Sequence, residues 1–187
     1  EEEEGDTPME PELQREHLSR GQVVDEFGYD SAIHLGDTPV DTFSLQDFIG
    51  HEDTWGQFDY LVVILSAGWC APCHELLFDV VDAFTPEHWG RIQVAVLMLE
   101  DQYGEVAHAE QCAESFASHA GFPILCLGLG DRNHELPLHE RLAADRIALP
   151  TVLVIRRFDG VLMNNPLDPI SAEDIREMMP AEPQGGP

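Results

Sequence analysis

The stretch Tyr60-Leu-Val-Val-Ile-Leu-Ser-Ala-Gly-Trp-Cys-Ala-Pro-Cys73 joins an apolar run to two cysteines that are separated by two residues. The apolar run is continuous and rich in β-branched residues, which is typical of a strand that is covered on both faces. After Cys70, apolar residues recur at three- and four-residue spacing as far as Phe84, a pattern that predicts an amphipathic helix. The stretch therefore predicts a buried central strand that leads directly into a helix, with Cys70 at the junction.

Further apolar runs and helix-period segments alternate along the rest of the chain. The other predicted elements are strands at 91–99, 122–127, 151–155 and 161–163, and helices at 105–120, 138–146 and 171–179. Asp159-Gly160 is a hairpin turn signal, and Ser171 with Asp174 forms a capping box at the start of the last helix. Residues 40–58 are interpreted as an N-terminal hairpin or extension. The resulting order, β-α-β-α-β-α-β-β-α, predicts a three-layer α/β domain with a mixed central sheet.

The composition is strongly acidic, with 36 Asp and Glu residues against nine arginines and no lysine, for a formal charge of −27. A surface of this charge repels nucleic-acid phosphates and anionic lipid headgroups, and the absence of lysine excludes Schiff-base and P-loop lysine chemistry. The hydrophobic fraction of 43% is near the globular average, so we expect a packed core. No apolar run approaches the roughly 18 residues of a membrane span. The composition predicts a soluble domain without a nucleic-acid partner.

The acidity is concentrated at the N-terminus, where residues 1–30 carry eleven acids and two arginines. Self-repulsion and two prolines near the start should keep this segment extended, and the last residues are rich in Pro and Gly. We therefore expect an acidic disordered tail at 1–20, a folded domain at 21–179 and a flexible C-terminal tail at 180–187. Because the chain begins at Glu1 rather than Met, the sequence leaves open whether a signal peptide or anchor has been removed.

The two cysteines of the quoted stretch lie where redox chemistry is favoured. A thiol in the first helical turn faces unpaired backbone N–H groups and the positive end of the helix dipole, which stabilise the thiolate. Cys70 gains most from this position, whereas Cys73 lies a turn further in and faces the core. The spacing allows Cys70 to attack a disulfide and Cys73 to resolve the mixed disulfide. Pro72 stiffens the first turn at a position where its missing N–H costs little.

Trp69-Cys70-Ala-Pro-Cys73, followed about 80 residues later by Ile147-Ala-Leu-Pro150-Thr-Val-Leu-Val-Ile155, resembles the thioredoxin fold. The chain is most similar to the extracytoplasmic thiol-disulfide oxidoreductases of the cytochrome c maturation type, over roughly residues 35–180. The resemblance implies a thioredoxin-like fold with an inserted helix-strand unit and an N-terminal extension. It also implies a bacterial source and a location in the periplasm or cell envelope.

The resemblance carries specific roles to matching positions. Cys70 and Cys73 would be the catalytic pair, acting on protein thiols or disulfides. The substrate groove would be lined by Trp69, Leu149, Pro150 and Thr151, with the Pro150 peptide bond in the cis form. Ala-Pro between the cysteines does not fix whether the protein reduces or oxidises its substrate. From the charge we expect a redox partner with a basic or neutral face, and we expect a monomer.

Two positions depart from the pattern of this family. Thioredoxins carry a buried Asp six residues before the first cysteine, where this chain has Ile64, and the cytochrome-maturation relatives carry a Glu three residues after the second cysteine, where it has Leu76. Glu75 is one residue away from that position, which is a rotation of about 100° on a helix. His74 directly follows Cys73. We interpret His74 and Glu75 as candidates for tuning the thiolate, with His74 most simply facing solvent.

Other functions share parts of the same pattern. Cys70-Ala-Pro-Cys73-His74 matches the attachment motif of c-type haem, but here it follows a buried strand and a Trp. Peroxiredoxins carry a Thr where this chain has Ala67, and copper-delivery proteins of this fold use cysteines one residue further apart, although nine histidines leave metal binding open. A non-catalytic thioredoxin-like binding module is a further alternative. We expect no cofactor and no metal.

Cys112 and Cys126 form the remaining cysteine pair, on the predicted second helix and the strand after it. One interpretation is two buried thiols packed as small apolar side chains. The other is a structural disulfide, which would close a loop of about fifteen residues and contribute up to roughly 3 kcal/mol. The sequence leaves both open.

Overall fold

The computed structural model describes residues 17–36, 41–135, 137–142 and 147–179. The expected tail at 180–187 and residues 1–16 of the expected N-terminal tail lie outside the described residues. Leu18 lies within the expected tail but is buried, and its N–H donates to the Arg141 carbonyl oxygen at 2.9 Å. The packed part of the chain therefore starts before residue 21, because an apolar side chain at position 18 joins the core.

The structure has seven strands and six α-helices in its described part. In chain order they are β1 (Gly28–Tyr29), β2 (Ile33–His34), β3 (Phe43–Ser44), α1 (Leu45–Gly50), α2 (Glu52–Trp55), β4 (Tyr60–Ala67), α3 (Ala71–Ala83), α4 (Pro86–Trp89), β5 (Ile92–Glu100), α5 (Ala109–Ser115), β6 (Ile124–Gly128), β7 (Thr151–Arg156) and α6 (Ala172–Glu177). Strands β1 and β3 form a small antiparallel sheet, and the other five form a sheet in the order β2-β6-β5-β4-β7. Strands β4, β5 and β6 are parallel, and β2 and β7 are antiparallel to their neighbours.

Strand β4 lies at the centre of the structure, and all eight of its residues are buried. Because side chains alternate along a strand, its two faces belong to two separate cores. Leu61 and Val63 face the N-terminal extension, whereas Val62 and Ile64 face α3, α5 and α6. The continuous apolar run therefore reflects burial on both faces, and the predicted mixed sheet between helical layers is confirmed.

The N-terminal extension forms its own aromatic layer on one face of the sheet. Residues 40–58, expected to be a hairpin or extension, contribute β3, α1 and α2, although 37–40 lie outside the described residues. Phe48 and Trp55 pack with ring centroids 5.5 Å apart, and Phe43 lies 5.8 Å from Trp55. These rings bury the apolar face of the two short helices against the sheet.

Two predicted helices are shorter in the structure. Helix α5 starts at Ala109 instead of residue 105, because the Asp131 carboxylate accepts the Ala109 N–H at 2.8 Å and Val106 forms a bridge with Glu100. A 3₁₀ turn at Ala117–His119 replaces the end of the predicted helix. Similarly, the helix expected at 138–146 is a single 3₁₀ turn at Leu138–Arg141, and 143–146 lie outside the described residues.

The outer edge of β7 is closed by a side chain as well as by backbone. The strand expected at 161–163 is reduced to an isolated bridge between Ile155 and Leu162. Next to this bridge, the amide of Asn164 accepts the Val154 N–H and donates to the Val152 carbonyl oxygen, both at 2.8 Å. Asn164 is buried, and its amide takes the place of a neighbouring strand.

Helix α6 begins as the sequence predicts. Ser171 is its N-cap residue, and it forms a reciprocal capping box with Asp174. The helix packs beside α3 on the face of the sheet that carries Val62 and Ile64. The same face of the sheet therefore supports both α6 and α3, the helix whose first turn contains Cys73.

Candidate active site

The turn between β4 and α3 carries the two cysteines at the carboxyl end of the central strand. The Gly68 N–H donates to the Glu100 carbonyl oxygen at 2.8 Å, which ties the turn to the end of β5. A Cβ atom on Gly68 would lie 2.5 Å from the Gln102 backbone nitrogen. Glycine is therefore required at position 68 for the close approach of the two chain segments.

Cys70 and Cys73 are joined by a disulfide bond, with Cα atoms 5.3 Å apart. Cys70 is the N-cap residue of the thirteen-residue helix α3, and its Sγ accepts the Cys73 N–H at 3.3 Å. Pro72 lies in the first turn of this helix. Such a position supplies N–H donors and the positive end of the helix dipole, which favour a thiolate over a thiol when the disulfide is reduced.

The disulfide is largely shielded from solvent. The exposed fractions of Cys70 and Cys73 are 3% and 1%, and they form a small apolar cluster with Ala67. Leu149 packs against this cluster from the loop before β7. The structure thus brings Leu149 next to the cysteines from a position almost 80 residues away in the chain.

The loop before β7 presents Leu149 and Pro150 with a cis peptide bond between them. Both residues are half-buried. Thr151, which was expected to line a groove, is buried instead, and its hydroxyl donates to the Ala148 carbonyl oxygen at 2.6 Å. It also pairs with Leu65 of β4. The Thr151 hydroxyl therefore holds the loop through its hydrogen bond to Ala148, and this bond uses its one donor hydrogen.

Trp69 is exposed beside the cysteines, with 55% of its surface accessible. Its Nε1–H donates to the Glu100 carboxylate at 2.8 Å, which orients the indole ring. Glu100 is not among the site residues that the sequence predicts. Its position could have been predicted, because the carboxyl ends of parallel strands meet at one edge of a sheet. Glu100 ends β5, where it pairs with Ala67 at the end of β4.

His74, which was expected to face solvent, is half-buried and packs beside an aromatic ring. Its ring centroid is 4.7 Å from that of Phe116, which follows α5. The nearby His119 ring packs at 4.6 Å from Phe78, and burial followed by the charge of His74 lowers the His119 pKa. Glu75 is exposed on the next position of α3.

The two positions at which the families that the chain resembles carry an acid lie in an apolar environment in the structure. Ile64 and Leu76 are both buried in the core between the sheet and α3. The carboxylate of Glu75 lies outside this core, because its residue is exposed. The Cys73 thiol consequently has no proton acceptor from Ile64 or Leu76.

Cys112 and Cys126 are free thiols in the structure, which agrees with the first of the two interpretations that the sequence left open. Both side chains are completely buried. The Cys112 Sγ–H donates to the Val96 carbonyl oxygen at 3.5 Å, and Cys126 pairs with Val96 across the sheet. Burial raises the pKa of the Cys112 thiol well above its ordinary value, and the neighbouring Cys126 raises it further. The pair packs as small apolar side chains.

Two global features bear on the alternatives. Within the described ranges, His, Cys, Asp and Glu side chains form no group of three or more that could hold a metal ion. Among those same residues, no helix is both long and apolar enough to cross a membrane.

Solved structures that share this fold include domains of thiol-disulfide oxidoreductases. The thioredoxin domain of a thiol-disulfide oxidoreductase from Bacteroides vulgatus aligns with a TM-score of 0.51 and 16% identity, over 86% of this chain and 94% of that one. A domain of a possible thiol-disulfide isomerase from Cytophaga hutchinsonii aligns with a TM-score of 0.56 and 16% identity, over 86% and 90%. AhpC from Enterococcus faecalis aligns with a TM-score of 0.52 and 17% identity, over 87% and 90%.

No protein-family model matches the sequence, and neither does any curated protein. The structural alignments nevertheless show that the chain has a thioredoxin-like fold, which it shares with domains of thiol-disulfide oxidoreductases. AhpC shares the same architecture, so the fold by itself does not select one chemistry. The assignment of an activity must rest on Cys70, Cys73 and the residues around them.

Proposed function

We propose that the protein is a thiol-disulfide oxidoreductase that acts through Cys70 and Cys73 on protein thiols or disulfides. The observation that supports this most directly is the Cys70–Cys73 bond at the N-terminus of α3, where Cys70 Sγ accepts the Cys73 N–H. A disulfide at a helix N-terminus is readily reduced, because the backbone N–H groups there stabilise the Cys70 thiolate that reduction releases.

The reaction is an exchange of two electrons through a mixed disulfide. In the reducing direction, the Cys70 thiolate attacks one sulfur of a substrate disulfide and releases the other as a thiolate, which takes up a proton. Cys73 then loses its proton and attacks Cys70 Sγ, which re-forms the intramolecular disulfide and releases the second substrate thiol. An external dithiol must return two electrons to the protein. In the oxidising direction each step is reversed.

The residues around the disulfide have separate roles in this proposal. Leu149 and Pro150 present backbone to the substrate chain, since Leu149 packs on the cysteine cluster. Trp69 provides an exposed apolar surface, and its hydrogen bond to Glu100 fixes the ring. Because the resolving thiol lacks an acid at Ile64 or Leu76, we expect the mixed disulfide to be resolved slowly at low pH.

The compartment and partners belong to the same proposal. An extracytoplasmic location, in the periplasm or cell envelope, follows from the resemblance of Trp69-Cys70-Ala-Pro-Cys73 and Leu149-Pro150 to the oxidoreductases of that compartment. A redox partner with a basic or neutral face agrees with the formal charge of −27.

The proposal is tested by reduction of insulin disulfides with dithiothreitol as the electron source. We expect wild type to accelerate the reaction and Cys70→Ser to fall to the uncatalysed rate. Cys73→Ser should accumulate a mixed disulfide that is visible by mass spectrometry. Cys112→Ala is the matched control, since it removes a thiol outside the site. Wild-type activity in Cys70→Ser would end the proposal.

A second candidate is a non-catalytic binding domain, which the low exposure of Cys70, 3%, favours. The two functions differ in how the disulfide responds to redox buffers. A titration of the Cys70–Cys73 pair against dithiothreitol should show a reversible two-electron transition if the protein is an oxidoreductase. A bond that stays intact in the native protein at every ratio would favour the binding domain.

A further inference from the structure

A cavity of about 550 Å³ opens at the end of the sheet opposite the cysteines. Its wall includes Tyr60, which begins β4, and Arg156, which ends β7 and pairs with Tyr60. The eight residues of β4 separate this cavity from the Cys70 turn. At about 3.3 Å per residue the separation is roughly 23 Å, so the cavity is not part of the redox site.

The cavity is a basic spot on an acidic protein. Three of the nine basic residues in the chain, Arg91, Arg156 and Arg157, line it together with Asp59 and Asp159. Three positive and two negative charges leave a local excess of +1, whereas the whole chain carries −27. An anion therefore meets a local excess of positive side chains in this cavity.

Two of the three arginines are paired with carboxylates. Arg156 makes a two-point contact with Asp159, at 2.6 and 3.0 Å, and Arg91 contacts Asp59 at 2.7 Å. These pairs hold the wall of the cavity in place. Because the other two arginines are paired with carboxylates, Arg157 supplies the net positive charge of the cavity.

Arg157 has no ion-pair partner among the residues that the structure describes. Arg157 is half-buried, and its guanidinium donates to the carbonyl oxygens of Phe58 at 2.7 Å and Ile49 at 3.3 Å. Two backbone carbonyls orient the group without neutralising it. A guanidinium has five N–H donors in a rigid fork that matches carboxylate and phosphate oxygens, so donors remain for an anion.

Phe158 follows Arg157 and is 84% exposed. It lies in the turn after β7, and it lines the same cavity as Arg157. An exposed ring of this kind supplies a flat apolar surface on which another ring can stack. The cavity therefore combines a guanidinium that has no ion-pair partner among the described residues with an exposed ring, two groups that suit the oxyanion and the ring of an aromatic anion.

We propose that this cavity binds a small aromatic oxyanion, an aryl phosphate or aryl carboxylate, with the oxyanion on Arg157 and the ring against Phe158. Charge-assisted bonds from the guanidinium fork orient the oxyanion, and Arg156 adds to the positive potential. The volume of about 550 Å³ accommodates a molecule of this size. Nucleic acid is disfavoured as the source of the phosphate because the surrounding surface is acidic.

Calorimetric titration of the full chain with phenyl phosphate and with benzoate tests the site. We expect saturable binding of at least one of the two, weakened at least tenfold in Arg157→Gln. Arg157→Lys should keep part of the affinity, because it keeps the charge and loses the fork. The matched control is Arg176→Gln, which removes an equal charge on α6 and should bind as wild type does. Absence of binding by wild type, or equal binding by Arg157→Gln, would overturn the proposal.

Two further measurements separate the parts of the site. Phe158→Ser alters an exposed side chain, so it tests the ring even if Arg157→Gln fails to fold, and we expect it to weaken phenyl phosphate more than inorganic phosphate. Equal affinity of wild type for inorganic and phenyl phosphate would overturn the role of Phe158. Cys70→Ser should bind the probe unchanged, so loss of redox activity and loss of this site are independent results.

Discussion

The two cysteine pairs of this protein are equally hidden from solvent and differ in chemistry. Cys70 and Cys73 are 3% and 1% exposed and are joined, whereas Cys112 and Cys126 are 0% exposed and remain free thiols. Burial therefore does not distinguish the disulfide-bonded pair from the free pair. The difference lies in the backbone around each sulfur.

The first pair lies at a helix N-terminus and the second lies in the core. Cys70 Sγ accepts a backbone N–H, a contact that a thiolate strengthens. The Cys112 Sγ–H instead donates to the Val96 carbonyl oxygen, a contact that requires the protonated thiol. Opposite hydrogen-bond roles predict opposite reactivities, and the following predictions test this difference.

The largest expected effect is on the rate of alkylation in the native, reduced protein. We expect iodoacetamide to modify Cys70 at least ~100-fold faster than Cys112, because only the thiolate reacts and burial raises the Cys112 pKa. Mass spectrometry of peptides over a time course measures both rates. Urea-unfolded protein is the control, in which the difference should vanish. Comparable native rates would contradict the contrast between the pairs.

Serine substitution should affect the stability of the two regions differently. In reducing buffer, we expect Cys70→Ser to change the free energy of unfolding by less than about 1 kcal/mol, because serine is a preferred N-cap residue. Cys126→Ser should cost about 1–3 kcal/mol, since it places a hydroxyl in an apolar core.

Urea unfolding of the reduced variants measures both values. Cys126→Ala separates the loss of the sulfur from the burial of a hydroxyl, and it should cost less than Cys126→Ser. Equal losses for serine at positions 70 and 126 would show that the two environments do not differ in this way.

The smallest expected effect is on stability at alkaline pH. The folded-state pKa of Cys112 lies above its unfolded value, so its contribution is fully present below the ordinary thiol pKa and is lost as pH rises through that value toward the raised one. Above about pH 9 we expect the free energy of unfolding to fall by up to ~1.4 kcal/mol per pH unit for this group.

Cys112→Ala should show a shallower decline over the same range. Burial also raises the pKa of Tyr29, so part of the decline should persist in that variant at higher pH. Stability curves for reduced wild type and Cys112→Ala, measured in urea between pH 8 and pH 10.5, give the comparison. A variant as sensitive as wild type would show that the Cys112 thiol ionises equally in both states.

Local pattern was enough to predict the centre of the molecule. Strand β4 and helix α3 follow from the apolar run and the helix-period spacing, and Cys70 at their junction follows from both. The fold class also follows from the order of these elements. Element ends were less predictable, because Asp131, far away in sequence, sets the start of α5.

Contacts between distant segments could not be predicted in the same way. The hydrogen bond from Trp69 to Glu100 depends on the register between β4 and β5. The basic cavity depends on strand pairing that brings Arg91 near Arg157, which lies 66 positions later. The state of Cys112 depends on the Val96 carbonyl, which no spacing of cysteines reveals.

The Asn164 amide has a protective effect at the edge of the sheet. A strand with unpaired N–H and C=O groups is a template to which another chain can add a strand, and such addition leads to domain swapping or fibrils. Asn164 occupies the Val154 N–H and the Val152 carbonyl oxygen with a side chain, and the Met163 N–H occupies the Val154 carbonyl oxygen. These contacts leave an added strand fewer backbone groups to pair with beside β7, on the strand that begins next to Pro150.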